Sequence, residues 1–382
     1  MKPMKILVIG TGMYVTGRST TGIGTILPAA VKYCRDVDFP IEIYLLATNE
    51  NSKEMAVEKA REAQKILNTS VAVKFLVGSV SDITSLESFD CAVVATPDAS
   101  HYDITKKLLE NNIHTLVVKP LATTLSEVED LIEIARKQNV YGMVEFHKRF
   151  DRSNKYLKTV IEDGLIGKPL YFLVQYSQKK VIPEFTFQKW LDQTNIFQYL
   201  GIHYVDIIFH ATQAIPKKVL SLGQKSYLSS KNIDNYDSIQ TLVEWEESDG
   251  HRFTSCFLTN WIEEEHAPAM SDQRIKVIGT KGRLEENQKD RGVKIVSKSG
   301  YEEVNPDFCR LYRDGDSYDI EGYGIESILT FLRDVRSIKE GKAEVKDFES
   351  IRPTFSQSII PTKVIEASNR SLELSGEWVV IE

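Results

Sequence analysis

Short apolar runs alternating with amphipathic helical stretches fill the first 147 residues, and this rhythm limits the possible folds more than any other feature of the chain. A strand, a helix and a second strand in succession return parallel to the start, so repetition of the unit builds a parallel sheet with helices on both faces. The apolar runs fall at 5–9, 41–47, 72–76, 91–95, 114–118 and 141–145, with helices expected over 52–67, 100–111 and 125–138. In the last helix Leu125, Val128, Leu131, Ile132 and Ile134 recur at helical spacing, while Glu127, Glu129 and Asp130 are placed to face water. A doubly wound, Rossmann-type α/β domain is therefore expected over residues 1–147.

From 148 to 382 the pattern changes. A helix near 153–163 precedes strand candidates at 171–178, 218–223, 238–244, 253–259, 275–278 and 293–297, separated by turns of Gly, Asp, Ser and Asn. Helices over 325–340 and 361–374 close the chain. Strands joined by turns pair antiparallel, so this part is expected to be a second α/β domain with a mostly antiparallel sheet.

The turn after the first strand reads Gly10-Thr11-Gly12. In a βαβ unit the first glycine permits the tight turn and the second lets backbone approach a pyrophosphate. Val15 stands where a third glycine would fall, and the next helix is expected only from about Thr25, which could cap it with Pro28 in its first turn. Between them Gly17, Arg18, Ser19, Thr20, Thr21, Gly22 and Gly24 read as an enlarged loop able to wrap an anion. The second strand ends at Thr48 and Asn49, with Glu50 and Lys53 close by. A carboxylate there favours NAD and cationic or small polar groups favour NADP, so the cofactor is NAD or NADP with a lean to NADP.

Lys119 follows the run His114-Thr115-Leu116-Val117-Val118 directly and precedes Pro120. Proline disfavours helical geometry in the residue before it, so this ammonium leaves from the carboxyl edge of a buried strand. Ligands bind at that edge in open α/β sheets, although a solvated strand end is the simpler account. Composition narrows the partners. The net charge of −7 and the absence of a basic domain argue against nucleic acid. The four cysteines form no close pair and no histidine stands at ligand spacing, so neither a metal site nor a disulfide framework is expected, and a reduced, cytoplasmic setting fits. No apolar stretch approaches the roughly 20 residues that span a bilayer.

The segment VVATPDASHYDITKKLLENNIHTLVVKPLATT resembles the Gfo/Idh/MocA oxidoreductases, in which a strand ending Ala-Thr-Pro is followed by a histidine, a helix, a strand and a Glu-Lys-Pro turn. Ala95, Thr96, Pro97, His101, Lys119 and Pro120 match that pattern, whereas Val118 stands in the place of the glutamate. LIGKPLYF, LGIHYVDIIFH, IKVIGTKGRLE and the closing VIEASNRSLELSGEWVVI resemble later family segments, so the similarity spans nearly the whole chain. The resemblance implies a Rossmann domain followed by an α/β domain with a large open sheet, a nicotinamide between them, and a sugar, cyclitol or polyol substrate. It also implies a homodimer or homotetramer formed through the open sheet. Gly10, Gly12, Thr48, Asn49, Thr96, Pro97, His101 and Lys119 become the cofactor-binding candidates.

Interconversion of a secondary alcohol and a ketone needs a proton carrier beside the cofactor. His203 is the expected acid or base and Lys119 the expected electrostatic catalyst, its ammonium polarising the reacting oxygen. Asp206, one helical turn beyond His203, could orient the ring or bind a hydroxyl, and Tyr199 occupies a place often held by aspartate in the family. Arg149, in EFHKRF, reaches substrate or cofactor, or else forms a structural salt bridge; His147 replaces the family's asparagine there. Trp190 reads as a core residue more readily than as a sugar-stacking one. The alternative to a dehydrogenase is a regulator of the same fold that senses sugar or nucleotide without catalysis, a reading that Val118 and Tyr199 keep open.

Overall fold

A computed structural model describes residues 2–18, 22–298 and 300–381. The chain divides into two compact units, residues 1–150 with 307–358, and residues 151–306 with 359–382. In the first, the strands β1 (Met4–Ile9), β2 (Ile41–Ala47), β3 (Ala72–Val77), β4 (Cys91–Val94), β5 (His114–Val118) and β6 (Gly142–Glu145) form a parallel sheet in the order β3-β2-β1-β4-β5-β6. The order reverses between β1 and β4, and that crevice is where doubly wound sheets take their ligands. β1 and β4 are almost wholly buried, which is why their sequences run apolar without alternation.

The helices of this unit are α1 (Met13–Thr16), α2 (Ile26–Asp36), α3 (Lys53–Ile66), α4 (Val80–Leu86), α5 (His101–Glu110) and α6 (Leu125–Gln138). α6 keeps the bounds read from its periodicity because both ends are marked. Thr124 and Glu127 form a capping box at its start, and Asn139 adopts a left-handed conformation at its end. At α2 the expectation needs correcting. Thr25 sits in the N-cap position without a side-chain capping bond, and its backbone N–H donates instead to the Tyr14 carbonyl at 2.8 Å.

The second unit opens with α7 (Arg152–Glu162) and builds a sheet from β7 (Pro169–Lys179), β8 (Ile215–Gln224), β9 (Ser238–Glu246), β10 (Arg252–Glu263), β11 (Ser271–Gly279) and β12 (Arg283–Asn287). α8 (Ile202–Thr212) and the single turn α9 (Tyr227–Ser230) lie between β7 and β9 in the chain, and β13 (Val293–Ser297) pairs with β14 (Gly300–Val304) as a separate hairpin. Every pairing in the large sheet is antiparallel except β7 with β10. Phe172, Val174, Val243, Trp245, Phe253 and Phe257 form its buried side, while Leu173, Leu242, Cys256 and Leu258 alternate to the other.

The chain then returns to the first unit with a hairpin, β15 (Arg310–Asp314) and β16 (Ser317–Glu321), and with α10 (Tyr323–Lys339). This differs from the division expected at 147/148, under which everything beyond belonged to one second domain. The reason is burial. Ile325, Ile328, Leu329, Phe331, Leu332 and Val335 on α10 join Leu27, Ala30 and Val31 of α2 and Tyr141 and Met143 of the sheet in one core. At about 1.5–3 kcal/mol for each large apolar side chain, this stripe contributes on the order of 10 kcal/mol, an upper bound. Asp334 holds the seam, accepting from the Tyr141 hydroxyl at 3.0 Å and from Arg352 at 2.7 and 3.1 Å. α11 (Ile359–Glu373) and β17 (Val379–Val380) complete the second unit, β17 pairing with β8. Among the described residues no helix is long and apolar enough to cross a membrane.

Candidate functional site

Gly10 leaves β1 with φ +104°, and a Cβ there would lie 2.2 Å from the Ala95 carbonyl oxygen. Only glycine lets the turn after β1 meet the turn after β4 this closely. Gly12 differs, since a Cβ on it would meet nothing within 4 Å. It borders open space at the switch point, as an approach for pyrophosphate requires. The enlarged loop is pinched at its base, where a Cβ on Gly17 would lie 2.0 Å from the Gly22 carbonyl oxygen. Ser19, Thr20 and Thr21, read as anion donors, lie outside the described residues. These glycines and the switch point fit a dinucleotide.

At the end of β2, Thr48 and Asn49 are exposed, and the Asn49 side chain accepts from the Asn51 backbone at 3.0 Å. Lys53 pairs with Glu50 at 3.2 Å, so the cation on which the lean to NADP rested is already matched by a carboxylate. After β4, Thr96 is half-buried and Pro97 exposed. His101 is almost fully buried, with Nδ1 2.7 Å from the Pro120 carbonyl oxygen and Nε2 2.8 Å from the Thr96 carbonyl oxygen. Carbonyls only accept, so each contact is a hydrogen bond when that nitrogen carries the proton. The ring thus ties the Ala-Thr-Pro turn to the Lys119-Pro120 turn.

Lys119 lies where β5 ends, buried to 7% exposure. Burial lowers its ammonium from the ordinary lysine value to about 8, and the negative charges of Asp98 and Glu145 oppose that fall. Neither carboxylate was singled out in the sequence. Asp98 stands in TPDASH directly after the matched Ala-Thr-Pro, and Glu145 ends an apolar strand just as Lys119 follows one. A charge at the end of a buried strand is the sequence signal that marks Glu145 as it marks Lys119. Glu145 accepts from the Tyr14 hydroxyl at 3.0 Å and lies 2.9 Å from His147 Nδ1. Tyr14 is pushed well above the ordinary phenol range, first by burial and then by the Glu145 charge. His147 stacks on Tyr323 with ring centroids 5.7 Å apart. Arg149 is buried, its guanidinium 5.9 Å from the Phe146 ring centroid and Nη1 3.4 Å from Gln357 Oε1.

In the second unit His203 and Asp206 sit on α8, both buried, three positions apart and hence on one face. Phe197–Gly201 runs into α8 as a π-helical turn. A π turn is wider than an α turn, so Tyr199 is rotated from the place that α spacing before His203 would give it. Its ring packs edge-on to Phe187 at 4.7 Å, and after burial it is the next cause that raises Tyr176. Trp190 lies 4.1 Å from Phe187, ring to ring, within the same aromatic group. Among the described residues no group of three or more His, Cys, Asp or Glu is placed to hold a metal ion.

Residues 4–146 match the family described as an oxidoreductase family with an NAD-binding Rossmann fold, and residues 154–285 match the GFO/IDH/MocA C-terminal domain. Myo-inositol 2-dehydrogenase of Thermotoga maritima is 27% identical over 281 residues, covering 73% of this chain and 78% of that protein. The NAD(+)-dependent scyllo-inositol 2-dehydrogenase of Bacillus subtilis is 25% identical over 273 residues, covering 69% and 77%. The crystal structure of scyllo-inositol dehydrogenase from Lactobacillus casei, with bound NAD(H) and scyllo-inositol, matches with a TM-score of 0.71 at 17% identity, covering 100% of this chain and 99% of that one. Matches to both halves in order, on a reversed parallel sheet with a glycine turn at its switch point, place this chain in the Gfo/Idh/MocA family of NAD-binding oxidoreductases.

Proposed function

We propose that the chain is a dehydrogenase interconverting a secondary hydroxyl and a ketone on a cyclitol or related sugar, with NAD the better cofactor. The observation that carries this reading is the buried ammonium of Lys119 at the carboxyl edge of the parallel sheet. Burying a cation opposes folding, and a solvated strand end would not require it. Bound nicotinamide supplies the hydride chemistry. Lys119 donates a hydrogen bond to the reacting oxygen and stabilises negative charge developing there, and His203 takes or returns the hydroxyl proton. Asp206 and Tyr199 contact the substrate's other hydroxyls. Gly10 and Gly12 admit the pyrophosphate, and Thr48 and Asn49 face the adenosine ribose. The pairing of Lys53 with Glu50 favours NAD over its 2′-phosphorylated form. A substrate of the inositol class is supported by the two dehydrogenases that resemble this chain over more than two thirds of their length.

The test is a double-mutant cycle on inositol oxidation followed by nicotinamide absorbance. Lys119→Ala lowers turnover on the order of 10²- to 10³-fold with cofactor affinity retained, and His203→Asn flattens the pH dependence near neutrality. The double variant loses less than the product of the two single effects if both residues serve one substrate. Turnover of Lys119→Ala equal to the parent would defeat the reading, as would failure to bind either dinucleotide.

A further inference from the structure

Val118 stands where the resembled Glu-Lys-Pro turn would carry its carboxylate, and the parallel ladder between β5 and β6 sets Glu145 directly beside it, in the register Val118 with Glu145. Neighbouring strands lie about 4.8 Å apart, so a carboxylate at 145 stands one strand to the side of position 118 and at the same height on the sheet edge. Glu145 is fully buried, and its two oxygens meet Tyr14, on α1, and His147, from the turn after β6. An amide could accept from the Tyr14 hydroxyl and donate to the His147 ring equally well. What the carboxylate adds is charge, which is costly to bury unless a cation uses it.

We infer that Glu145 is a positioning residue that supplies, from the adjacent strand, the negative charge missing before Lys119, and so keeps the lysine as an ammonium at the sheet edge. Asp98 from the turn after β4 and Glu145 from the end of β6 both act on that ammonium and counter the effect of its burial. Two further titratable groups, Tyr14 and His147, contact Glu145 itself. His147, 2.9 Å from the other carboxylate oxygen, is the competing partner. Through Tyr14 the carboxylate also fastens the segment that follows Gly12, so one buried group serves both the glycine turn and the lysine turn. The importance of this for turnover rests on the function proposed above for Lys119, but the charge relation does not.

The experiment titrates Lys119 directly, by NMR of the lysine 13Cε signals in the full chain, the signal being assigned by its loss in Lys119→Arg. In the parent the midpoint falls near 8. Glu145→Gln lowers it by on the order of one pH unit, Glu145→Asp holds it, and Val118→Glu alone raises it. Adding Val118→Glu to Glu145→Gln returns the midpoint towards the parent value. An unchanged midpoint in folded Glu145→Gln overturns the inference and assigns the charge to His147. An equal fall in the Gln and Asp variants overturns it as simple distortion. Should Glu145→Gln not fold, an unmoved midpoint in Val118→Glu overturns it alone. Movement of the midpoint with full turnover in Lys119→Ala would sink the proposed function and leave the charge relation standing; an unmoved midpoint with an inactive Lys119→Ala would do the reverse.

Discussion

Lys119 shows how one buried charge trades stability against chemistry. Its folded value of about 8 lies below the ordinary 10.5, so the folded state binds this proton less readily than the unfolded chain does. The sign follows directly: the group opposes folding fully below pH 8, and the opposition is relieved as pH rises towards 10.5. At 1.36 kcal/mol per unit the cost is up to about 3 kcal/mol at neutral pH. Lys119→Met is therefore expected to raise stability at pH 7 by about 1–3 kcal/mol in urea unfolding, with the gain fading from pH 8 upward and gone by about 10.5; a destabilised variant would contradict the burial cost. The same value predicts a decline of kcat/KM above pH 8 as the ammonium is lost. Lys119→Arg, whose charge persists, should abolish that alkaline limb even if its rate is low.

At the scale of elements, the segment between Lys119 and α6 is short and held at its far end by the capping box. Thr124 Oγ1 accepts from the Glu127 N–H at 3.3 Å, and Glu127 Oε2 accepts from the backbone N–H groups of Thr123 at 3.2 Å and Thr124 at 3.1 Å. Removing either partner leaves donors at a helix start without their acceptor. Thr124→Ala is expected to cost about 1 kcal/mol by denaturant unfolding, and Glu127→Ala a similar amount. A loss below a few tenths would show that water replaces the cap. α6 was legible from sequence because period, cap and end signal agree between Thr124 and Asn139. The π turn before α8 was not, because Phe197–Gly201 carries no residue that distinguishes a wide turn from an ordinary one.

At the scale of the whole molecule, one side of the large sheet is the less buried one among the described residues. Leu220, Leu242, Cys256 and Leu173 are register neighbours across β8, β9, β10 and β7, making an apolar row on that outer side, with exposed Leu222 and Leu258 in the next row. Beside it a depression of about 400 Å³ is lined by Gln175, Ser177, Asn260, Asp272 and Arg274. If the homo-oligomer that the family resemblance implies forms through this face, Leu242→Glu is expected to shift the species seen by light scattering to monomer; an unchanged mass would place self-association elsewhere. The parallel sheet, most element positions, the glycine turn and the lysine at the strand edge were determined by sequence alone, because periodicity, β-branched runs and Gly-x-Gly are local signals. Tertiary structure alone decided the partners. That residues 307–358 return to the first unit, that Glu145 stands beside Val118, and that both nitrogens of His101 face carbonyls all depend on which distant segments share a core or a ladder. Such pairings are set by burial and register between residues far apart in the chain, and no window of sequence contains them.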